Sequence, residues 1–204
     1  MNNIQLVAFD LFGVIIEEGH LVRNVLRPLL PSGHAQARVK PLYNDYNLAR
    51  IDEQAFWSGL GIEDFAEIRR AFLDAFRLDP DYAEILEALA ARYRLAILSN
   101  LPADWADALV ARFDLARDFA PILFSGHCRH KKPNPAIYRL LIGQSALPSR
   151  QILFIDDRLE NLETASHEGM RTVYLQRETL QHRFQPDHRI DRLGQLIEIL
   201  RDGV

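Results

Sequence analysis

Acidic or polar residues in this chain close apolar runs. IQLVAFD ends on Asp10, LAILSN on Ser99 and Asn100, and ILFIDD on Asp156 and Asp157. A further polar group, Lys131-Lys132-Pro133-Asn134-Pro135, stands just before a helical pattern. If the runs are parallel strands, these residues share one edge of a sheet, outside the carboxyl ends, where open α/β folds bind ligands. Each alone reads as a turn former or helix cap, and Asp157 could simply cap the helix that follows it. Their coincidence at one edge points to chemistry. Clustered there, Asp10, Asp156 and Asp157 repel one another, and at least one must protonate unless a cation joins them. Oxygen-only donors suit Mg²⁺, which usually takes one or two carboxylates plus a substrate phosphate. Lys132 adds a point charge, and Ser99 and Asn100 add hydroxyl, amide and backbone donors. The set is complementary to a phosphoryl group beside an acid able to attack it.

The elements that must position these residues are legible from periodicity. Leu6–Phe9, Leu95–Leu98, Ile152–Ile155 and Thr172–Leu175 are apolar throughout rather than alternating, the mark of strands covered on both faces. Pro121–Phe124 is a weaker fifth candidate. Helical stripes lie between them, over Ala83–Tyr93, Ala103–Phe113, Asn134–Gly143 and Leu159–Glu168, with a closing helix carrying Leu193, Leu196, Ile197 and Leu200. Asn134 followed by Pro135 is an N-cap with proline at the first helical position, and Gly169 fits a helix end. Strands alternating with helices predict an α/β fold, an open Rossmann-like parallel sheet with helices on both faces.

Between Glu17 and Asp79 the alternation fails. Four helical stretches, His20–Leu30, Ala35–Tyr46, Glu53–Leu60 and Glu63–Phe76, follow one another with no convincing strand. The expected organisation is a core of residues 1–16 and 80–204 with a helical cap of residues 17–79 inserted after strand one.

The 204 residues are 48% hydrophobic and 25% charged, with a net charge of −4. That balance argues against a nucleic-acid binder, which normally carries a basic excess. The basic, histidine-containing stretch Gln176–Arg192 reads as a solvated surface loop. No apolar run approaches the ~20 residues needed to span a bilayer, and MNNIQLVAFD lacks the features of a signal peptide. A cytoplasmic protein is expected, with no membrane or nucleic-acid partner, as monomer or homodimer. The single cysteine, Cys128, excludes an internal disulfide. It reads as a small, partly buried residue despite its cationic neighbours.

Four segments together, FDLFGVI (Phe9–Ile15), ILSN (Ile97–Asn100), KKPNPAIY (Lys131–Tyr138) and FIDDRLENLETASHEGM (Phe154–Met170), make the sequence resemble the haloacid dehalogenase (HAD) superfamily. The likeness is to its cap-bearing subgroup, which includes glucose-1-phosphate phosphatases and the N-terminal phosphatase domain of soluble epoxide hydrolase. The resemblance implies that Asp10 attacks phosphorus to form an aspartyl-phosphate and that Ser99 and Asn100 hold the phosphoryl oxygens. It implies that Lys132 neutralises charge and orients the nucleophile. It also implies that Mg²⁺ is held by Asp10, Asp156, Asp157 and the backbone carbonyl of Phe12.

Position 12 departs from the family pattern. Most of its phosphatases carry there a second aspartate that protonates the leaving oxygen. Such a group is worth typically 10²–10⁴-fold, and Phe12 cannot supply it. Three readings follow. The first is a Mg²⁺-dependent phosphatase of a small phosphorylated metabolite, with a substitute acid such as water, Glu17, Glu18, His20 or Asp45. The second is a 2-haloacid dehalogenase, whose branch carries an aromatic at this position but lacks the acidic pair Asp156-Asp157. The third is a weakly active or non-catalytic binding member of the fold. Arg23, Arg27, Tyr43, Asp45, Tyr46 and Trp57 are candidate substrate contacts, the aromatic ones reading more readily as packing.

Overall fold

The computed structural model of the chain describes residues 3–31, 34–177 and 182–201. Strand β1 (Leu6–Phe9) is an unbroken apolar tetrad, buried at every position. It sits centrally, because a strand with no polar face must be covered on both sides. The other strands are β2 (Arg94–Ser99), β3 (Ile122–Phe124), β4 (Ile152–Asp156), β5 (Arg171–Leu175) and β6 (His188–Ile190). They form one sheet in the order β3-β2-β1-β4-β5-β6, and every neighbouring pair is parallel. The weak candidate near Pro121 is the strand β3.

Alternation along each strand divides its side chains between two cores. Val7, Phe9, Leu95, Ile97, Leu153 and Ile155 enter one, with residues of α5 (Tyr82–Ala90), α6 (Ala103–Arg112) and α10 (Leu196–Arg201). Leu6, Ala8, Ala96, Leu98, Ile152 and Phe154 enter the other, with α8 (Pro135–Ser145) and α9 (Leu159–His167). Both capping signals operate as expected. Asn134 Oδ1 accepts from Ala136 N at 2.9 Å, and Gly169, just past α9, takes a φ of +86°. The closing helix is split, with a 3₁₀ turn at Leu193–Gln195 preceding α10.

One reading is corrected. The stretch Gln176–Arg192 contains β6, whose Ile190 is buried and pairs with Leu175. Its sequence, His188-Arg189-Ile190, holds a single apolar residue, so no apolar run announces it. Asp187 anchors the approach, accepting from Thr172 N at 2.8 Å and Arg171 Nη1 at 3.0 Å. Residues 178–181 of that stretch lie outside the described residues.

Between β1 and α5 the chain is helical. A π-helical turn (Leu21–Leu26) leads through α1 (Arg27–Leu29) to α2 (His34–Asn47), α3 (Glu53–Gly59) and α4 (Ala66–Asp74). Ser32 and Gly33, between the first two expected helical stretches, lie outside the described residues. Trp105 of α6, fully buried, meets Tyr43, Tyr46, Phe56, Trp57 and Phe72 from these helices at ring separations of 4.5–6.1 Å. Its indole N–H donates to Glu53 Oε1 at 2.7 Å, and Arg69 Nε donates to the same oxygen at 2.8 Å. The helical segment thus shares one apolar cluster with the sheet. Among the described residues no helix is long and apolar enough to cross a membrane.

Candidate active site

Asp10 directly follows β1, and its backbone N–H donates to Ile155 O of β4 at 2.9 Å. The carboxylate therefore emerges between β2 and β4, the position where crossovers leave in opposite directions and a crevice opens. Lys132 reaches it from the loop before α8. Its ammonium lies 2.9 Å from Asp10 Oδ2 and 2.6 Å from Asp156 Oδ2, and 5.1 Å above the Phe154 ring. Lys132 and Asp156 are buried, and Asp10 nearly so. Asp156 is further held by Arg158 N at 2.8 Å and by Asn161 Nδ2 at 3.0 and 3.1 Å. Oxygens of Asp10, Asp156 and Asp157 all come within 4.8 Å of one another.

The charges explain the hydrogen bonding. Burial opposes the Lys132 ammonium, but the Asp10 and Asp156 carboxylates overcome it and hold the pKa above the usual lysine value. Burial, against the pull of Lys132 and with Asp10 adding repulsion, raises Asp156 to about 6. Burial and the charges of Asp156 and Asp10 push Asp157 up to about 8. With all three carboxylates ionised, one ammonium would leave two negative charges uncancelled, the deficit that a divalent cation removes. The donors are all oxygens, as Mg²⁺ requires.

The loop after β1 is shaped around Asp157. Gly13 has a φ of +76°, and a Cβ there would stand 2.4 Å from Asp157 Oδ2. Only glycine combines that conformation with that approach. Arg177 Nε donates to Gly13 O at 2.9 Å, and Arg177 Nη2 bonds Asp79 Oδ2 at 2.5 Å, fastening the loop from beyond β5.

These groups open into a cavity of about 740 Å³. Asp10, Phe12, Ser99, Asn100, Lys132 and Asp157 line its floor, and Arg23, Arg27, Lys40 and Tyr43 of the helical segment line its roof. Helix α2 is tied down on both sides, by Lys131 Nζ to Asn44 Oδ1 at 2.9 Å and by Ser125 Oγ to Asn47 Oδ1.

A model of the haloacid dehalogenase-like hydrolase family matches residues 4–169, most of the chain. The chain belongs to this family. It is a HAD-like hydrolase, and its six-stranded parallel sheet is that family's architecture. It is similar to a phosphorylated carbohydrates phosphatase of Thermotoga maritima, 26% identical over 109 residues, covering 53% of this chain and 50% of the relative. The chain spans half or less of the length of the first curated relatives it matches. Two solved structures share the fold. A HAD phosphatase from Thermococcus onnurineus aligns with a TM-score of 0.76 at 20% identity, covering 97% of this chain and 98% of the other. A 2-haloacid dehalogenase from Pseudomonas syringae pv. Tomato aligns at 0.74 and 23%, covering 98% and 100%.

Within this HAD-like hydrolase every residue singled out at the strand ends reaches the same crevice. Two refinements follow. The Asn100 side chain forms a reciprocal pair with the Lys132 backbone, donating to its carbonyl at 2.9 Å and accepting from its N–H at 2.7 Å, so it positions the lysine. The Phe12 ring packs on Phe76 at 5.0 Å, inside the aromatic cluster. Among the suggested acids, Asp45 is ion-paired to Arg50 at 3.0 Å and Glu18 accepts from His20 N at 2.6 Å, and neither lines the cavity. Glu17 is exposed and also outside it, whereas His20 lies at its edge. Tyr46, bonded to Asp104 Oδ2 at 3.0 Å, and the buried Trp57 are packing residues. Cys128 is half-buried, and burial raises its thiol pKa. In the sequence Asn161 stands out only as the asparagine after the acidic pair, with no role assigned, and Gly13 and Arg177 are not singled out. Asn161 carries a visible signal, as the polar residue one helical turn after an acidic pair. Arg177 carries none, because only the fold brings it to the first loop.

Proposed function

We propose that this hydrolase is a Mg²⁺-dependent phosphatase acting on a small phosphorylated metabolite through an aspartyl-phosphate at Asp10. The carrying observation is the buried Lys132 ammonium bridging Asp10 and Asp156, with Asp157 close enough to complete a cation site. Asp10 is the nucleophile. Lys132 holds one carboxylate oxygen of Asp10 in place and offsets charge gathering on the phosphoryl group. The Ser99 hydroxyl, lining the cavity floor, binds a phosphoryl oxygen. Asp10, Asp156, Asp157 and the Phe12 carbonyl are the groups to hold Mg²⁺, which when bound neutralises phosphoryl charge. Residues 17–79 act as the cap over a core of residues 1–16 and 80–204. Arg23, Arg27 and Lys40, which form no ion pair among the described residues, face the part of the substrate beyond the phosphate.

The test is hydrolysis of p-nitrophenyl phosphate with Mg²⁺. Asp10→Asn should lower the rate by at least roughly 10³-fold, and EDTA should abolish it. Full activity in Asp10→Asn would sink the mechanism. The aromatic Phe12 favours one other reading, a 2-haloacid dehalogenase. Halide release from 2-chloropropionate in EDTA would establish that instead.

A further inference from the structure

The Tyr43 hydroxyl is shielded from solvent and has no hydrogen-bond partner. Among the described residues it is the one buried side-chain polar atom in that position. Leaving such a group unpaired is costly, and native folds rarely do so without a functional reason. The side chain lines the same cavity as Asp10 and Phe12. Its ring is stacked on Trp105 at 6.0 Å and 28°, and its helix is tied to the core through Asn44 and Asn47, so the hydroxyl is held in place before any ligand arrives. Phe12, at the position where most phosphatases of the family carry an acid, lines the same cavity and has no proton to give.

We propose that Tyr43 supplies the leaving-group proton that position 12 cannot. The proposal rests on the phosphatase reading above. As an Asp10 oxygen bonds to phosphorus, the bond from phosphorus to the alcohol oxygen breaks and its electron pair stays on that oxygen. The phenolic proton moves to it, releasing the alcohol and leaving a tyrosinate. Water then attacks the aspartyl-phosphate at phosphorus, the bond to Asp10 breaks, and the proton lost by the water restores the phenol. Ester plus water becomes alcohol plus phosphate, with Asp10 and Tyr43 regenerated. An alkoxide is a stronger base than a phenolate, so the first transfer runs downhill. Burial, and then the charge of Asp10, hold the Tyr43 pKa above the ordinary tyrosine value, so the group is protonated at neutral pH.

Tyr43→Phe keeps the ring on Trp105 and removes only the unpaired hydroxyl. Its Tm should equal or exceed that of the parent. Its kcat/KM for glycerol 2-phosphate should fall by roughly 10²-fold, while p-nitrophenyl phosphate, whose leaving group needs little help, changes by less than about threefold. Equal losses on both esters would mean that Tyr43 only shapes the site, and no loss would mean that it is idle; either overturns the proposal. A lower Tm would show that the hydroxyl has a structural partner, with the same consequence. If the parent protein hydrolyses neither ester, the phosphatase reading itself fails and this one falls with it.

Discussion

At the scale of single residues the site is a problem of excess negative charge. Asp156 and Asp157 are raised to about 6 and about 8 by burial and by their carboxylate neighbours, from a starting value of 3.8. A carboxyl whose folded pKa lies above its unfolded one binds more protons when folded between those two values. Stability therefore falls as pH rises through that window. Without metal the protein should lose stability from pH 4 upward, steeply to about 6 and on to about 8. Each proton contributes at most about 1.4 kcal/mol per pH unit. A cation that binds ionised carboxylates cancels the loss. Thermal melts with and without Mg²⁺ should therefore diverge more at pH 8 than at pH 6. Equal Mg²⁺ shifts at both values would count against the three acids as the cation site. Phe12 carries a second lesson at this scale. Phe12→Asp would return an acid to the family position, but it would also remove a ring packed on Phe76. Gain of activity and loss of stability must be measured together.

At the scale of elements, a short loop after β1 determines how near Asp157 comes to Asp10. Gly13 is the hinge of that loop, because its positive φ and the approach of Asp157 Oδ2 both exclude a side chain. Gly13→Ala should cost roughly 1–3 kcal/mol of stability from backbone strain alone. It should also weaken the response to Mg²⁺ by displacing Asp157. A chemical melt reads the first effect and a Mg²⁺ titration of Tm the second. If stability falls but the Mg²⁺ response is unchanged, Asp157 is not a metal-supporting group. Helix α8 shows the complementary case. Its start is written locally in Asn134-Pro135, and that start brings Lys132 to the strand ends. The strand ends themselves follow from apolar runs that stop at an acid.

At the scale of the whole molecule, the helical segment and the sheet share a core, with Trp105 as the shared residue. Trp105→Ala should destabilise by roughly 3–5 kcal/mol. Because the same cluster includes the helical segment and the sheet, the protein should still melt in a single transition, observable by calorimetry. Two separate transitions in the parent protein would refute that coupling. Most of this architecture was legible beforehand. The four main strands, the helices between them and the helical run after β1 were all carried by unbroken apolar segments and 3.6-residue stripes. β6 was not, because His188-Arg189-Ile190 holds a single apolar residue, whereas the equally short edge strand β3 is apolar throughout. The packing role of Trp105 was equally hidden, since its stripe on α6 looks the same whether it faces the sheet or the helices above it.

The sequence alone determined which residues meet at the carboxyl edge of the sheet. Burial of a continuous apolar run fixes a strand, and the residue that ends the run is then delivered to that edge whatever else the fold does. Asp10, Ser99, Asn100, Asp156 and Asp157 were placed in this way. Distances and partners came only with the tertiary structure. It turned Asn100 toward the Lys132 backbone, brought Asn161 to Asp156, clamped Gly13 with Arg177, and left the Tyr43 hydroxyl buried and unpaired in a side chain that lines the cavity of Asp10. Apart from Asn161 and Asp156, which are five residues apart, these features join segments far apart in the chain. Local periodicity carries no information about them, because each depends on which loops and helices the packed fold brings side by side.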